Sequence, residues 1–313
     1  MTDRLCRLLM KGLTKLIQGK VVAASFALAL FSIILLAAAK SSATSAWSSE
    51  FEGNAAFLGT GSVRRRESKF QGISEIMSSS SLVFTRQISD SAQLRIGGEY
   101  QLYSFDTTVP TPIPDVMQGA NLVLGANFNF GQAILVRIDT KPGFYGEFAH
   151  FSLKRFNVPF QIGGTYFVSA NLMFIAGVEI DVNRRIPVYP GAGVYWKISN
   201  KWILDGVLPR PQLEYILSDK LMLHAGADLN ESAFRMGNDF GRDRGIKKLD
   251  NAILDYQEVR VGGGLVWQVL KDFKIDLEAG CVPYRRFDYN RADYKILSDD
   301  IVPYARISLS AEF

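Results

Sequence analysis

Two histidines are the only side chains in this 313-residue sequence whose unperturbed pKa lies near neutrality. The first stands in His150-Phe151-Ser152, with His and Ser on one face of an extended segment. A base beside a hydroxyl begins a nucleophilic site, but a third group must orient the imidazole, and no acid follows at a suitable spacing. The second opens the run His224 to Asn230, where His224, Asp228 and Asn230 fall on one strand face. An imidazole, a carboxylate and an amide together can move protons at neutral pH. The same trio is ordinary material for a hydrogen-bonded polar network, and that reading is preferred. Metal chemistry lacks a ligand set: the two histidines are far apart, and only Cys6 and Cys281 carry thiols. Asp239, Asp243 and Asp250 do not follow the calcium-loop spacing. Gly262-Gly263-Gly264 has no helix after it, so it is no phosphate cradle. The expectation is therefore no cofactor, no metal and no enzymatic activity.

The elements that must position these groups are strands. Segments of about nine to fourteen residues alternate apolar and polar positions, the length that crosses a bilayer at a tilt. In 93–105, Leu94, Ile96 and Leu102 share one face, with Arg95 and Glu99 on the other. In 172–182, Phe174, Val178 and Ile180 oppose Glu179 and Asp181. In 221–230, Leu221, Leu223 and Leu229 oppose His224 and Asp228. In 259–269, Val259, Val261 and Trp267 oppose Arg260 and the preceding Glu258. In 273–281, Ile275 and Leu277 oppose Lys274, Asp276 and Glu278. Segments 121–130 and 156–166 follow the same grammar, and no helical stripe of comparable length competes. Alternation alone also fits a soluble sandwich, whose apolar face is buried. Ordinary strands of about five or six residues are shorter than these, which favours a membrane barrel.

Both ends of the chain point the same way. Ile301 to Phe313 alternates Ile301, Pro303, Ala305, Ile307, Leu309 and Ala311 against Tyr304, Arg306, Ser308, Ser310 and Glu312. A terminal Phe on such a strand resembles the carboxyl-terminal signature of bacterial outer-membrane β-barrels, in which it is the assembly signal. That resemblance implies Phe313 as an assembly signal, outer-membrane lipid and the barrel-assembly machinery as partners, and the outer membrane of a Gram-negative-type bacterium as location. At the amino end, Arg4, Arg7, Lys11, Lys15 and Lys20 precede the uncharged run Val21–Ala39 and a small-residue stretch to Ala46. This is the layout of a secretory signal peptide, assigned to 1–46, with the barrel at 47–313. The stretch 47–69, with Arg64, Arg65 and Arg66, is the least regular.

The chain holds 35 bases and 31 acids, of which six bases and one acid precede Trp47. The remaining 29 bases and 30 acids nearly cancel, so no nucleic-acid partner is expected. Connectors alternate short (89–91, 130–132, 169–171, 199–201, 218–220, 271–272) and long (106–119, 150–155, 237–251, 290–299). The short set is assigned to the periplasmic rim and the long set to the exterior. Counting gives an all-β, closed, antiparallel up-and-down barrel of about twelve strands, ten to fourteen allowed. The count turns on 202–207 and 212–217, an irregular hairpin around Pro209 and Pro211.

Strand parity turns twelve charged residues into the lumen: Arg95, Glu99, Glu179, Asp181, His224, Asp228, Glu258, Arg260, Lys274, Asp276, Glu278 and Arg306. Neither sign dominates. The expected function is a narrow passive channel for small solutes; the alternative is a closed structural or adhesion barrel presenting its exterior loops. A barrel enzyme acting on lipid is the third reading. His150-Phe151-Ser152 resembles the His-x-Ser pair of outer-membrane lipid A deacylases over those three residues alone. Ser232 lies two residues past Asn230, away from the place that the His-Ser-Asn set of outer-membrane phospholipases requires, and the acidic pairs of outer-membrane aspartyl proteases are not found.

Overall fold

A computed structural model describes residues 47–108, 111–148 and 152–313. The signal peptide assigned to 1–46, Pro110 and His150 lie outside the described residues. Seventeen strand segments form one sheet: β1 (Trp47–Arg65), β2 (Ser68–Ser89), β3 (Ala92–Thr107), β4 (Val116–Phe130), β5 (Ile134–Thr140), β6 (Gly143–Gly146), β7 (Phe156–Asn157), β8 (Phe160–Ser169), β9 (Leu172–Ile180), β10 (Val188–Lys197), β11 (Trp202–Asp205), β12 (Gln212–Ser218), β13 (Leu221–Arg235), β14 (Ile253–Leu270), β15 (Phe273–Tyr289), β16 (Tyr294–Ser298) and β17 (Val302–Glu312). Consecutive segments pair in antiparallel ladders, except β5 with β6, β7 with β8 and β16 with β17, which do not pair each other. Three pairs of segments, β5 with β6, β7 with β8, and β16 with β17, are interrupted halves of single barrel strands, so the wall has fourteen. β17 pairs β15 on one side and β1 on the other, from Glu50↔Glu312 to Leu58↔Tyr304, which closes the barrel.

Fourteen lies at the upper end of the expected range, and the irregular hairpin makes the difference. Both of its short segments, β11 and β12, are ladder strands. The stretch from Trp47 to Arg65, read from sequence as the least regular, forms a continuous strand paired with β2. The turns on one rim are short and chemically fixed. Ser169, Ser199 and Ser218 each accept a backbone N–H two residues on, from Asn171, Lys201 and Lys220. A hydroxyl closing its own turn lets the chain reverse without a longer loop.

The outer wall is apolar along the middle of the strands. Ile96, Leu122, Leu124, Phe174, Leu223, Val261 and Leu277 are all exposed on the outward face. Trp196, Trp202 and Trp267 stand exposed near the short-turn ends of their strands, where indole rings suit the lipid headgroup boundary. Among the described residues the closed ladder leaves an unpaired edge between β10 and β13, and an apolar belt of this kind needs hydrocarbon as its solvent. The molecule is a transmembrane β-barrel of the outer-membrane type.

The interior differs between its two halves. Toward the short turns it is polar, as strand parity requires. Toward the long connectors it is a close-packed core. There Tyr103 meets Phe234 and Tyr256 edge to face, and Phe105 meets Tyr256 and Phe287. The segments 111–115 and 236–252 fold over this core and add Ile113, Phe240 and Leu249, all buried. Arg244 donates to the Thr111 carbonyl at 3.1 Å, which ties the two connectors together, and Tyr289 of β15 donates to the Pro112 carbonyl at 2.7 Å. Gly146, at the end of β6, forms a bridge with Arg235 of β13 on the opposite wall. Among the described residues, this core fills the long-loop mouth.

Candidate functional site

Below the seal, long-range ion pairs and hydrogen bonds gather most of the charged residues that parity turns inward. Arg306 on β17 donates to Asp228 on β13 at 2.6 Å and also bonds Glu278 on β15. Arg210, from the 206–211 connector, reaches Asp276 at 2.9 Å and Glu278 at 2.6 Å. His224 Nε2 lies 2.8 Å from Asp276 Oδ1. Tyr304 donates to Glu278 from the adjacent strand. Higher up, Glu258 contacts Arg260, and the Tyr256 hydroxyl, which donates to Glu75 at 2.6 Å, lies 3.0 Å from Glu258. Arg285 completes that group 3.3 Å from Glu75. On the far wall Lys141 pairs Glu99 at 2.9 Å and Arg95 lies 3.6 Å from Asp139. Arg184 spans Glu179 at 3.0 Å and Asp181 at 3.9 Å. Lys274, on the same face as Asp276, is exposed at the short-turn end of β15.

The sequence trio His224, Asp228 and Asn230 is not brought together. Four residues along a strand separate groups by about 13 Å, and each finds its partner across the interior instead. His224 takes Asp276, Asp228 takes Arg306, and Asn230 donates to Tyr103 at 3.1 Å. Parity places residues on a face, but only the barrel's closure decides which face-mates meet. Glu75, Asp139, Lys141, Arg184, Arg210 and Arg285 escaped the sequence reading. Glu75 and Arg285 sit where strands run past the expected boundaries, and Arg210 lies in a connector that carries no alternation.

His224, Asp276 and Glu278 also present one donor atom each within 4.8 Å of one another, as a metal site would. The two carboxylates already bond Arg210, and Glu278 bonds Arg306 as well. Two guanidinium groups therefore hold the space and the charge that a cation would need, and the cluster is a compensated ionic network.

Between this network and the seal lies a cavity of about 570 Å³. Glu99, Gln101, Lys141, Asn230, Ser232 and Glu258 line it from the interior face. Leu229, Val259 and Tyr284 also line it, although each stands on the outward face of its strand, in register with other lipid-facing side chains. The cavity thus passes through the wall.

The breach follows from the lengths of β11 and β12. β10 pairs β11 only over 195–197, and β13 pairs β12 only up to Gly226. Above that level the 206–211 connector adds three bonds, Gly206 N–H to the Val194 carbonyl, Ala227 N–H to Pro211 and Leu229 N–H to Pro209. Among the described residues, no strand then stands between β10 from Val188 to Gly193 and β13 from Asn230 to Phe234. Three strand spacings of about 4.8 Å would separate those edges, so the missing half-strands leave a gap of up to about 14 Å. Arg184 closes the top, donating to the Glu231 carbonyl at 3.1 Å.

Neither a protein-family model nor a curated protein sequence matches the chain. Solved structures with related architecture include an outer-membrane channel from Pseudomonas putida F1, at 9% identity and a TM-score of 0.46, covering 85% of this chain and 96% of that one. A mutant of the TodX monoaromatic hydrocarbon channel aligns at 9% identity and a TM-score of 0.45, covering 85% of this chain and 91% of its own. LpxR from Salmonella typhimurium aligns at 9% identity and a TM-score of 0.38, covering 84% and 99%.

Proposed function

We infer that this barrel is a narrow passive channel for small solutes in the outer membrane of a Gram-negative-type bacterium. The observation that supports the reading is the 570 Å³ cavity held open inside a lipid-facing barrel. Its volume lies within the range of about 300–1,000 Å³ typical of small-molecule sites. A barrel serving only as a scaffold has no need of unfilled polar space. The polar half of the interior offers amides and paired charges, which suit small hydrated solutes. Catalysis forms no part of the reading, because the groups nearest His224 are carboxylates already committed to arginines.

The test is solute flux in vesicles containing the refolded protein. Entry of a small neutral sugar, measured by swelling against protein-free vesicles, is the expected result; no flux above that background would reject the reading. The second reading, a sealed barrel that presents its loops, is favoured by one feature, the apolar plug of Ile113, Phe240 and Leu249, and predicts that null result.

A further inference from the structure

We propose that the breach between β10 and β13 is a lateral port, through which a small amphiphile with an uncharged or cationic polar end passes between the bilayer and the interior cavity. The proposal rests on the channel reading for the direction of travel, and it assigns that channel's outer opening and solute class. The axial exit is unavailable to such a solute, because Ile113, Phe240 and Leu249 are buried in the seal and Gly146 bridges to Arg235 above it.

The gap is written into the chain. Even-numbered residues of β10 turn their backbone groups toward it, as the Val194 carbonyl does when it accepts Gly206 N–H. Pro190 is one of these, and proline is the residue that can occupy a bare strand edge without leaving an N–H unpaired. On the other side the Glu231 carbonyl is taken by Arg184. An open edge facing hydrocarbon is forbidden, but one that lines a polar cavity is tolerated. The edges are thus built to border an opening.

The opening stands at lipid height. Val188 on β10 and Val261 on β14 are exposed on the outer wall at 52% and 44%, and Leu208 of the lower lip at 38%. An apolar tail would meet Leu208, Leu229, Val259 and Tyr284 on the way in, while the head would meet Gln101, Asn230 and Ser232. Charge sets the class of head. Glu99, Glu179, Asp181, Glu231 and Glu258 line the cavity against only Lys141 and Arg184, and both bases are already paired with these acids. A carboxylate or sulfate head would enter a field of its own sign.

The test uses the full barrel in lipid vesicles with two probes, a dansyl-labelled long-chain alkylamine and its carboxylate counterpart. Gly191 lines the port on β10, and a side chain built there meets nothing within 4 Å, so Gly191→Trp fills the opening without displacing the wall. The parent should show saturable binding of the amine above lipid background, weaker binding of the carboxylate, and loss of amine affinity by about tenfold or more in Gly191→Trp. Gly191→Ala should bind as the parent does. If heat-modifiable migration shows Gly191→Trp unfolded, Gly191→Leu replaces it. Equal amine binding by the folded bulky variant, equal binding of both probes by the parent, or no saturable binding would each overturn the port. Sugar flux in the same vesicles separates the two readings. Flux with port-independent amine binding leaves the channel and removes the port; Gly191-dependent binding without flux leaves the port and removes the channel.

Discussion

Asp228 and Arg306 lie 2.6 Å apart although β14 and β15 stand between their strands in the wall. The contact therefore cuts across the interior, and Arg306 is shared with Glu278 while only 6% of its side chain is exposed. Removing one partner of such a pair leaves a buried charge without compensation, which costs about 3–5 kcal/mol. Arg306→Ala should therefore lower barrel stability by about that amount in urea titrations followed by heat-modifiable migration. Replacing Arg306, Asp228 and Glu278 together with apolar residues of similar volume should recover most of the loss. A single-mutant effect within experimental error would show that water already solvates these charges.

The plug makes a separate prediction. Asn251 N–H bonds the Gly237 carbonyl at 2.9 Å, so the ends of the 238–250 segment are already adjacent. Deleting 238–250 and joining Gly237 to Asn251 through a short glycine turn should leave the strands paired. It would remove Phe240 and Leu249 from the seal, and single-channel conductance should rise well above the parent level. Phe240→Ala, a smaller lesion, should cost about 3–5 kcal/mol in stability through the cavity it leaves. Unchanged conductance in the deletion would place the constriction lower, in the Arg210 and Arg306 network.

The strand grammar around residues such as Leu223 and His224 was legible because lipid and lumen impose opposite polarity on alternate positions. That rule gave the faces and most of the charged interior. It failed near the long connectors, where Tyr103, Phe234, Tyr256 and Phe287 point inward and are apolar. Above the level of the polar network the interior is a protein core, and alternation no longer carries a polarity signal. Register across strands was equally hidden: nothing local links Arg306 to Asp228, which are 78 residues apart. The short segments β11 and β12 resisted counting for the physical reason that makes them interesting, because strands of four and seven residues do not carry the membrane-crossing pattern.

Asp250 supplies the pH dependence. Its carboxylate accepts from Gly241 N–H at 2.9 Å, Arg242 N–H at 3.0 Å and Arg242 Nε at 2.9 Å. Burial opposes ionisation, but these bonds outweigh it and hold the carboxyl below its usual value of 3.8. A depressed folded-state pKa means the bonds stabilise the connector at pH above the unfolded value, and that this contribution is lost as pH falls through the folded one. Acidification below about pH 4 should therefore loosen 237–251 before the strands, seen as faster protease nicking there. Asp250→Asn should nick at neutral pH as the parent does in acid. Equal protection of parent and variant at both pH values would assign the order of this connector to Phe240 and Leu249 alone.

The closing seam tests the carboxyl terminus. β17 must find both β15 and β1, and the β1 ladder runs to Glu312, next to the last residue. β1 and β17 are distant in sequence, so their pairing carries a large loop-closure cost and should come late in assembly. A signal that holds the final strand in place while the seam forms would then act on rate and yield more than on final stability. Removing Phe313 should sharply reduce folded, heat-modifiable protein in outer-membrane fractions. The fraction that does fold should unfold at nearly the parent urea concentration. If instead yield is unchanged, the terminal aromatic is not an assembly signal in this chain; if the midpoint falls in step with yield, Phe313 contributes packing rather than recognition.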